Sequence, residues 1–162
     1  MTMMSKTTRS LLAVMLVGAP LLLADGNERG TAQLALGGKN VAISYGRPSL
    51  NGRDMLGKAE VGQQWRMGAD AATTLKSDAD LLFGAVALPK GEYVLRARKD
   101  ADDKWTLLAN REGQTVAEVP LAVRKLDAPV ETLVIDLQES KGAGRFEMRW
   151  GTAALSADFK AK

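Results

Sequence analysis

The chain has 162 residues, 22 basic and 19 acidic side chains, and neither cysteine nor histidine. This length predicts a single domain. The missing residue types exclude disulfides, Ser-His-Asp triads, cysteine nucleophiles and metal sites built from thiolate or imidazole ligands. Any catalysis would depend on carboxylates, Lys, Tyr, Ser or Thr, and any metal would need oxygen ligands. We predict neither a cofactor nor a metal site.

Residues 1–24 have the pattern of a signal peptide. A basic start precedes an apolar run at residues 11–23, and the small residue Ala24 follows it. The run is shorter than the about 20 residues that a spanning helix needs. We expect cleavage after Ala24, a mature domain at residues 25–162 in the periplasm or medium, and no membrane contact after cleavage. An uncleaved membrane anchor is the alternative.

The mature chain would be close to neutral. Cleavage removes Lys6 and Arg9 and leaves 20 bases against 19 acids. Nucleic-acid-binding domains carry clustered Lys and Arg, and no such cluster occurs here. We therefore expect no nucleic-acid partner.

Alternation of apolar and polar residues predicts strands through most of the mature chain. In chain order, the apolar positions that share a face are Val41, Ile43 and Tyr45; Tyr93, Leu95 and Ala97; Trp105, Leu107 and Ala109; Leu133, Ile135 and Leu137; Phe146, Met148 and Trp150; and Leu155, Ala157 and Phe159. Turn sequences at residues 37–40, 89–91, 99–104 and 141–144 separate these runs. The pattern predicts an all-β fold, an antiparallel β-sandwich.

Residues 47–68 interrupt the alternation and predict one long Gly/Arg-rich loop, which is usually functional or contains a short helix. The candidate ligand-binding residues in and around it are Tyr45, Arg47, Arg53, Trp65, Arg66 and Thr73. Guanidinium groups recognise carboxylates, phosphates and sulfates, and aromatic faces can stack on sugar rings. The expected partner is an anionic small molecule or a glycan. Alternatively, the arginines pair with Asp54, Asp70 or Glu131 and fix the loop to the domain.

Acidic residues give two weaker signals. Asp100, Asp102 and Asp103 lack the glycine and the distant glutamate of a calcium loop, so they predict a solvated turn. Glycoside hydrolysis needs two acids about 5–10 Å apart across a cleft. The candidates by residue type are Glu60, Asp70, Glu131 and Asp136, and alternation puts Asp136 on the face opposite Leu133, Ile135 and Leu137.

Several short motifs resemble one family of exported bacterial proteins, which is catalogued as domain of unknown function 2911. The matching residues are Tyr45-Gly46-Arg47-Pro48-Ser49, Gly52-Arg53, Gly57, Trp65-Arg66, Gly68-Ala69, Ala72-Thr73-Thr74, Leu88-Pro89, Gly91, Tyr93, Trp105-Thr106, Pro129-Val130-Glu131-Thr132 and Trp150. The resemblance covers nearly the whole mature chain. It implies a β-rich periplasmic or secreted domain and no particular reaction.

Two functions follow as expectations. The favoured one is a non-catalytic binding or structural module of the cell envelope, with its site on residues 47–74. The alternative is a carboxylate-dependent hydrolase that acts on envelope polysaccharide. The two differ in the site they require, because an enzyme needs a concave pocket that holds two acids.

Overall fold

The computed structural model describes residues 27–162, so the expected signal peptide, its cleavage site and the N-terminus of the mature domain lie outside the described residues. Ten strands form the regular structure. They are β1 (Arg29–Leu36), β2 (Lys39–Gly46), β3 (Gln64–Trp65), β4 (Thr74–Ser77), β5 (Leu81–Phe83), β6 (Val86–Leu88), β7 (Gly91–Lys99), β8 (Trp105–Arg111), β9 (Gln114–Ser140) and β10 (Ala143–Ala161). Within residues 27–162, no helix has the length and apolar character needed to span a membrane.

All ten strands belong to one large antiparallel sheet that does not close into a barrel. Its order is β1-β2-β4-β7-β8-β9-β10-β5-β6, and β3 pairs with β7. The prediction of an all-β antiparallel fold is confirmed. The finer prediction of a sandwich stays a prediction, because backbone pairing joins the strands into a single sheet.

Tight two-residue turns connect β1 to β2, β8 to β9 and β9 to β10. Both residues of each turn have positive φ, for example 58° and 77° at Gly37 and Gly38, and 52° and 76° at Lys141 and Gly142. This conformation matches the right-handed twist of the two flanking strands, and glycine adopts it without strain. The turns predicted at residues 37–40 and 141–144 are confirmed.

The inward faces of the strands form one apolar core. On β10, Phe146, Met148 and Trp150 are each at most 2% exposed, and the intervening Arg145 lies on the outer face. The inward residues predicted for the other strands are buried as well, except Ala157, which is half-buried. Period-two alternation therefore assigned the core face correctly.

The sheet folds back on itself, since β2 contacts β9, and its longest strands contain irregularities. The pairing of β10 with β9 shifts register on both sides of Gly151, which has a φ of 61°. Such bulges bend a strand and increase its twist. The bend brings β2 against β9, although the two strands are not neighbours in the sheet. The Tyr45 Oη donates a hydrogen bond to the carbonyl of Ile135 at 3.3 Å.

Candidate ligand-binding groove

The connection between β2 and β4, residues 47–73, contains only the short strand β3 and is fixed at its start to β9. The Leu50 amide donates to the carbonyl of Glu131 at 3.0 Å. The Leu133 amide donates to the carbonyl of Pro48 at 3.0 Å. These main-chain bonds satisfy polar groups of the connection and give its first residues a defined path across the sheet.

The two ends of the connection pack directly on each other. A Cβ atom added to Gly46 would collide with the carbonyl of Ala69, and one added to Gly68 would lie 2.9 Å from Thr73 Oγ1. Thr73 is fully buried, and its hydroxyl donates to the carbonyl of Met67 at 2.8 Å. The glycines therefore permit a backbone-to-backbone contact, and Thr73 fastens the second end.

Tyr45 and Arg47 join β2 to β9 and to the N-terminal residues. Tyr45 is 4% exposed and lies in the core. Arg47 is half-buried; its Nη1 lies 3.5 Å from Glu28 Oε2, and its Nε donates to the carbonyl of Leu133 at 3.4 Å. Neither side chain lines the clefts described below.

Arg53 and Arg66 are exposed and donate to main-chain carbonyls. The Nε of Arg53 bonds the carbonyl of Leu50 at 2.9 Å, and the Nη2 of Arg66 bonds the carbonyl of Asp70. The acids named as alternative partners therefore do not pair with these two guanidinium groups through their side chains. Arg66 does reach Asp70, but through the main chain of that residue.

Two adjoining clefts lie between residues 50–65, the facing ends of β7 and β8, and the middle of β10. The larger has a volume of about 330 Å³, and its walls include Arg53, Lys58, Gln63, Trp65 and Trp105. Of the six predicted site residues, Arg53 and Trp65 are the two that share this cleft. Tyr45, Arg47, Arg66 and Thr73 lie elsewhere.

The smaller cleft has a volume of about 190 Å³, and its walls include Lys99, Asp103 and Trp150. Met55 and Trp105 line both clefts, so the two volumes are neighbouring parts of one surface depression. We call this depression the tryptophan groove, because all three tryptophans of the chain contribute to its walls.

Two of the three tryptophans stack on each other in the groove. The rings of Trp65 and Trp150 stack with centroids 5.4 Å apart and an interplanar angle of 15°. The Trp150 Nε1 donates to the carbonyl of Glu131 at 3.1 Å, which fixes its ring against β9. Trp105 and Trp150 are buried, whereas Trp65 is half-buried. Trp65 therefore offers the most accessible aromatic surface of the three.

Lys99 is the least expected member of the groove. It occupies the last inward-facing position of β7 and is 9% exposed. Its Nζ donates to the carbonyl of Gly57 at 3.4 Å and lies 3.5 Å from Asp103 Oδ1. The sequence held a signal for this placement, since the alternation through Tyr93 and Ala97 puts Lys99 on the same face.

The turn between β7 and β8 is held by a network beside the groove. Asp100 accepts hydrogen bonds from Thr106 Oγ1 at 2.6 Å and from Arg98 Nε at 2.7 Å. The bond from Thr106, and then that from Arg98, lower the pKa of Asp100 below its ordinary value. Across residues 27–162, no group of three or more acids could hold a metal ion. Asp100 thus acts as a structural acceptor in this turn.

The four acids considered for hydrolysis lie outside the tryptophan groove. Asp136 lies on the outer face, as alternation predicted, where its Oδ2 is 2.6 Å from Arg149 Nη2. Glu131 Oε1 accepts a hydrogen bond from the amide of Asn51 at 2.8 Å. The acids that do line the groove are Asp54 and Asp103.

A family model described as "Protein of unknown function (DUF2911)" matches residues 27–159. The chain therefore belongs to this family, and the identification made from its motifs is confirmed. No curated protein and no solved structure matches the chain. The family description names no ligand and no reaction.

Proposed function

We propose that this member of the DUF2911 family is a non-catalytic glycan-binding module of the bacterial cell envelope, exported to the periplasm or medium by an N-terminal signal peptide. In this proposal the two halves of the folded sheet pack face to face as the layers of a sandwich. Residues 47–73 form the loop that presents the site. One observation carries the proposal: the three tryptophans of the chain converge on one groove that also contains charged and amide side chains.

The chemistry of this groove suits a sugar. The C–H faces of a sugar ring pack well on an aromatic face, and its hydroxyls need both donors and acceptors. Trp65 supplies the accessible face, Arg53 and Gln63 supply donors, and Asp54 supplies acceptor oxygens. The larger cleft, about 330 Å³, falls within the range of about 300–1,000 Å³ that is usual for small-molecule sites.

The absence of catalysis is supported by the engagement of the two groove acids. The carboxylate of Asp54 accepts a hydrogen bond from the amide of Gly57 at 2.9 Å and so closes a turn. Asp103 lies beside Lys99 at 3.5 Å. A glycosidase needs one protonated and one ionised carboxyl on either side of the scissile bond. Both groove acids instead have the local partners of structural carboxylates.

Two exposed arginines of the same connection provide a matched test. Arg53 and Arg66 both bond main-chain carbonyls, but only Arg53 lines the groove. Titration calorimetry of the exported protein with oligosaccharides from envelope polysaccharides should show micromolar to millimolar binding. Arg53→Ala should weaken binding about tenfold, in line with loss of a hydrogen bond to a charged group. Arg66→Ala should bind like the unchanged protein.

Three outcomes would contradict the proposal. One is that no envelope saccharide binds. Another is that Arg66→Ala weakens binding as much as Arg53→Ala, which would move the site away from the groove. The third is release of new reducing ends during incubation, which would favour the polysaccharide hydrolase.

A further inference from the structure

We infer that the smaller cleft of the tryptophan groove binds an anionic group of the ligand, a carboxylate, phosphate or sulfate, at the ammonium of Lys99. This inference rests on the proposed glycan binding and adds the charge of the ligand. It makes the expected ligand an acidic saccharide.

The first observation is the position of Lys99. It follows apolar residues on the inward face of β7, where every other inward side chain belongs to the core. A buried charged group is costly unless hydrogen bonds and an opposite charge compensate it. A lysine in this position therefore requires a partner.

The second observation is that the partners present are weak. The distances from Lys99 Nζ, 3.4 Å to the Gly57 carbonyl and 3.5 Å to Asp103, exceed those of good hydrogen bonds, and an ammonium has further N–H donors to satisfy. The Asp103 side chain is 90% exposed, so water already solvates its carboxylate. A ligand anion could replace Asp103 at the ammonium without leaving a buried charge unpaired.

The third observation is the environment of the ammonium. The smaller cleft has apolar walls that include Leu50, Val123 and Ala153, and an ion pair beside apolar walls is stronger than one in open water. The cations that line the whole groove are Arg53, Lys58 and Lys99, against the acids Asp54 and Asp103. Trp105 lines both clefts, so a sugar on Trp65 and its acidic group at Lys99 would occupy one continuous site.

The test uses ligands that differ only in charge. The exported protein would be titrated with the tetramer of galacturonic acid and its methyl ester, and with phosphorylated or sulfated maltotetraose against plain maltotetraose. At least one acidic ligand should bind about tenfold more tightly than its neutral form, and added salt should reduce this difference. Lys99→Met should abolish the difference, because methionine keeps the unbranched chain without the charge.

Two further variants separate binding from folding. Lys104→Met changes an exposed lysine outside the groove and should keep the preference for the acid. Asp103→Asn removes the competing carboxylate and should raise affinity for the acidic ligand several-fold. Lys99→Met should melt no lower than the unchanged protein, since a buried charge is replaced by an apolar group.

The outcomes distinguish this inference from the proposed function. Equal affinity for each acidic ligand and its neutral form would overturn the inference and leave glycan binding intact. If Lys99→Met loses affinity for the acidic and the neutral ligand alike, Lys99 has a packing role, and the inference is overturned as well. Inorganic phosphate would be titrated as well. If it binds as tightly as the acidic saccharides, the result would support the anion site and contradict the proposal that the ligand is a glycan. Failure of every ligand would overturn both.

Discussion

Three arginines of similar sequence context have different roles once the chain is folded. Arg47 crosses from β2 to Glu28 and β9, Arg53 lines the groove, and Arg66 closes a turn onto Asp70. A guanidinium group suits an acid, a carbonyl or a ligand equally well. The sequence could therefore identify these residues as candidates but could not show which of them lines the groove.

For Arg47→Ala we expect the free energy of unfolding to fall by about 1 kcal/mol or less, as for surface ion pairs. The partner, Glu28, is 77% exposed, so its carboxylate remains hydrated after the change. A buried acid left unpaired would instead cost about 3–5 kcal/mol. Urea unfolding would measure the difference, and Glu28→Gln, which breaks the ion pair but keeps the hydrogen bond from Arg47 to Leu133, should cost no more than Arg47→Ala. A loss above 3 kcal/mol in Arg47→Ala would contradict this account.

At the scale of elements, the turn between β7 and β8 does more than reverse the chain. Asp100 accepts hydrogen bonds from Arg98 of β7 and Thr106 of β8, and the turn carries Asp103 toward the groove. Asp102 and Asp103 both have positive φ, 58° and 54°, which aspartate tolerates better than most residues. The turn sequence thus predicted the reversal, but not the network that orders it.

Asp100 should make the stability of this turn depend on pH. Hydrogen bonds from Thr106 and then Arg98 lower its pKa in the folded state. A carboxylate with a lowered pKa stabilises the fold above its unfolded pKa, about 3.9, and that contribution is lost as the pH falls through the folded pKa. The melting temperature of Asp100→Asn should therefore lie below that of the unchanged protein at pH 7. The gap should narrow from about pH 4 downward.

Circular dichroism melts at pH 7, 4 and 2 would measure this gap. Asp102→Asn is the matched control, because it lies in the same turn and its carboxylate has no hydrogen bond or ion pair within residues 27–162. Asparagine also tolerates the positive φ of residue 102. A gap for Asp100→Asn that stays constant down to pH 2 would show that its two hydrogen bonds do not favour the charged form.

At the scale of the whole molecule, the alternation predicted the core faces and the turns but gave no sign of the tryptophan groove. Alternation placed Phe146 and Met148 in the core, because period-two burial is a local property of a strand. It could not foresee the groove, because Trp65, Lys99 and Trp150 meet only through the bend of the sheet and the path of residues 47–73. The six predicted ligand-binding residues are close in sequence, and two of them, Arg53 and Trp65, line the groove.

The local alternation of apolar and polar residues could not predict the length of the strands either. β9 extends from Gln114 to Ser140, yet the alternation used to predict it covered only Leu133 to Leu137. Residues 122–132 are mostly exposed and include a shift of register against β10. With both faces toward solvent, such a segment has no buried face to impose a period on its sequence.

Trp150 connects the groove to the rest of the sheet. Its substitution tests whether the groove and the sheet unfold together. Its ring is 2% exposed, stacks on Trp65 and bonds the carbonyl of Glu131. Trp150→Ala should lower the free energy of unfolding by about 3–5 kcal/mol, a typical loss for a buried aromatic residue. For a domain of this size that corresponds to a fall of roughly 10–20 °C in Tm.

The transition should be followed by near-UV circular dichroism, which reports on the tryptophans, and by far-UV circular dichroism, which reports on the sheet. Both signals should shift together in Trp150→Ala, because a single core unfolds cooperatively. Val123→Ala, at a largely exposed wall of the smaller cleft, should change Tm little. If only the near-UV signal shifts, the groove is a local unit that opens while the sheet persists, and the stacked tryptophans do not couple the two.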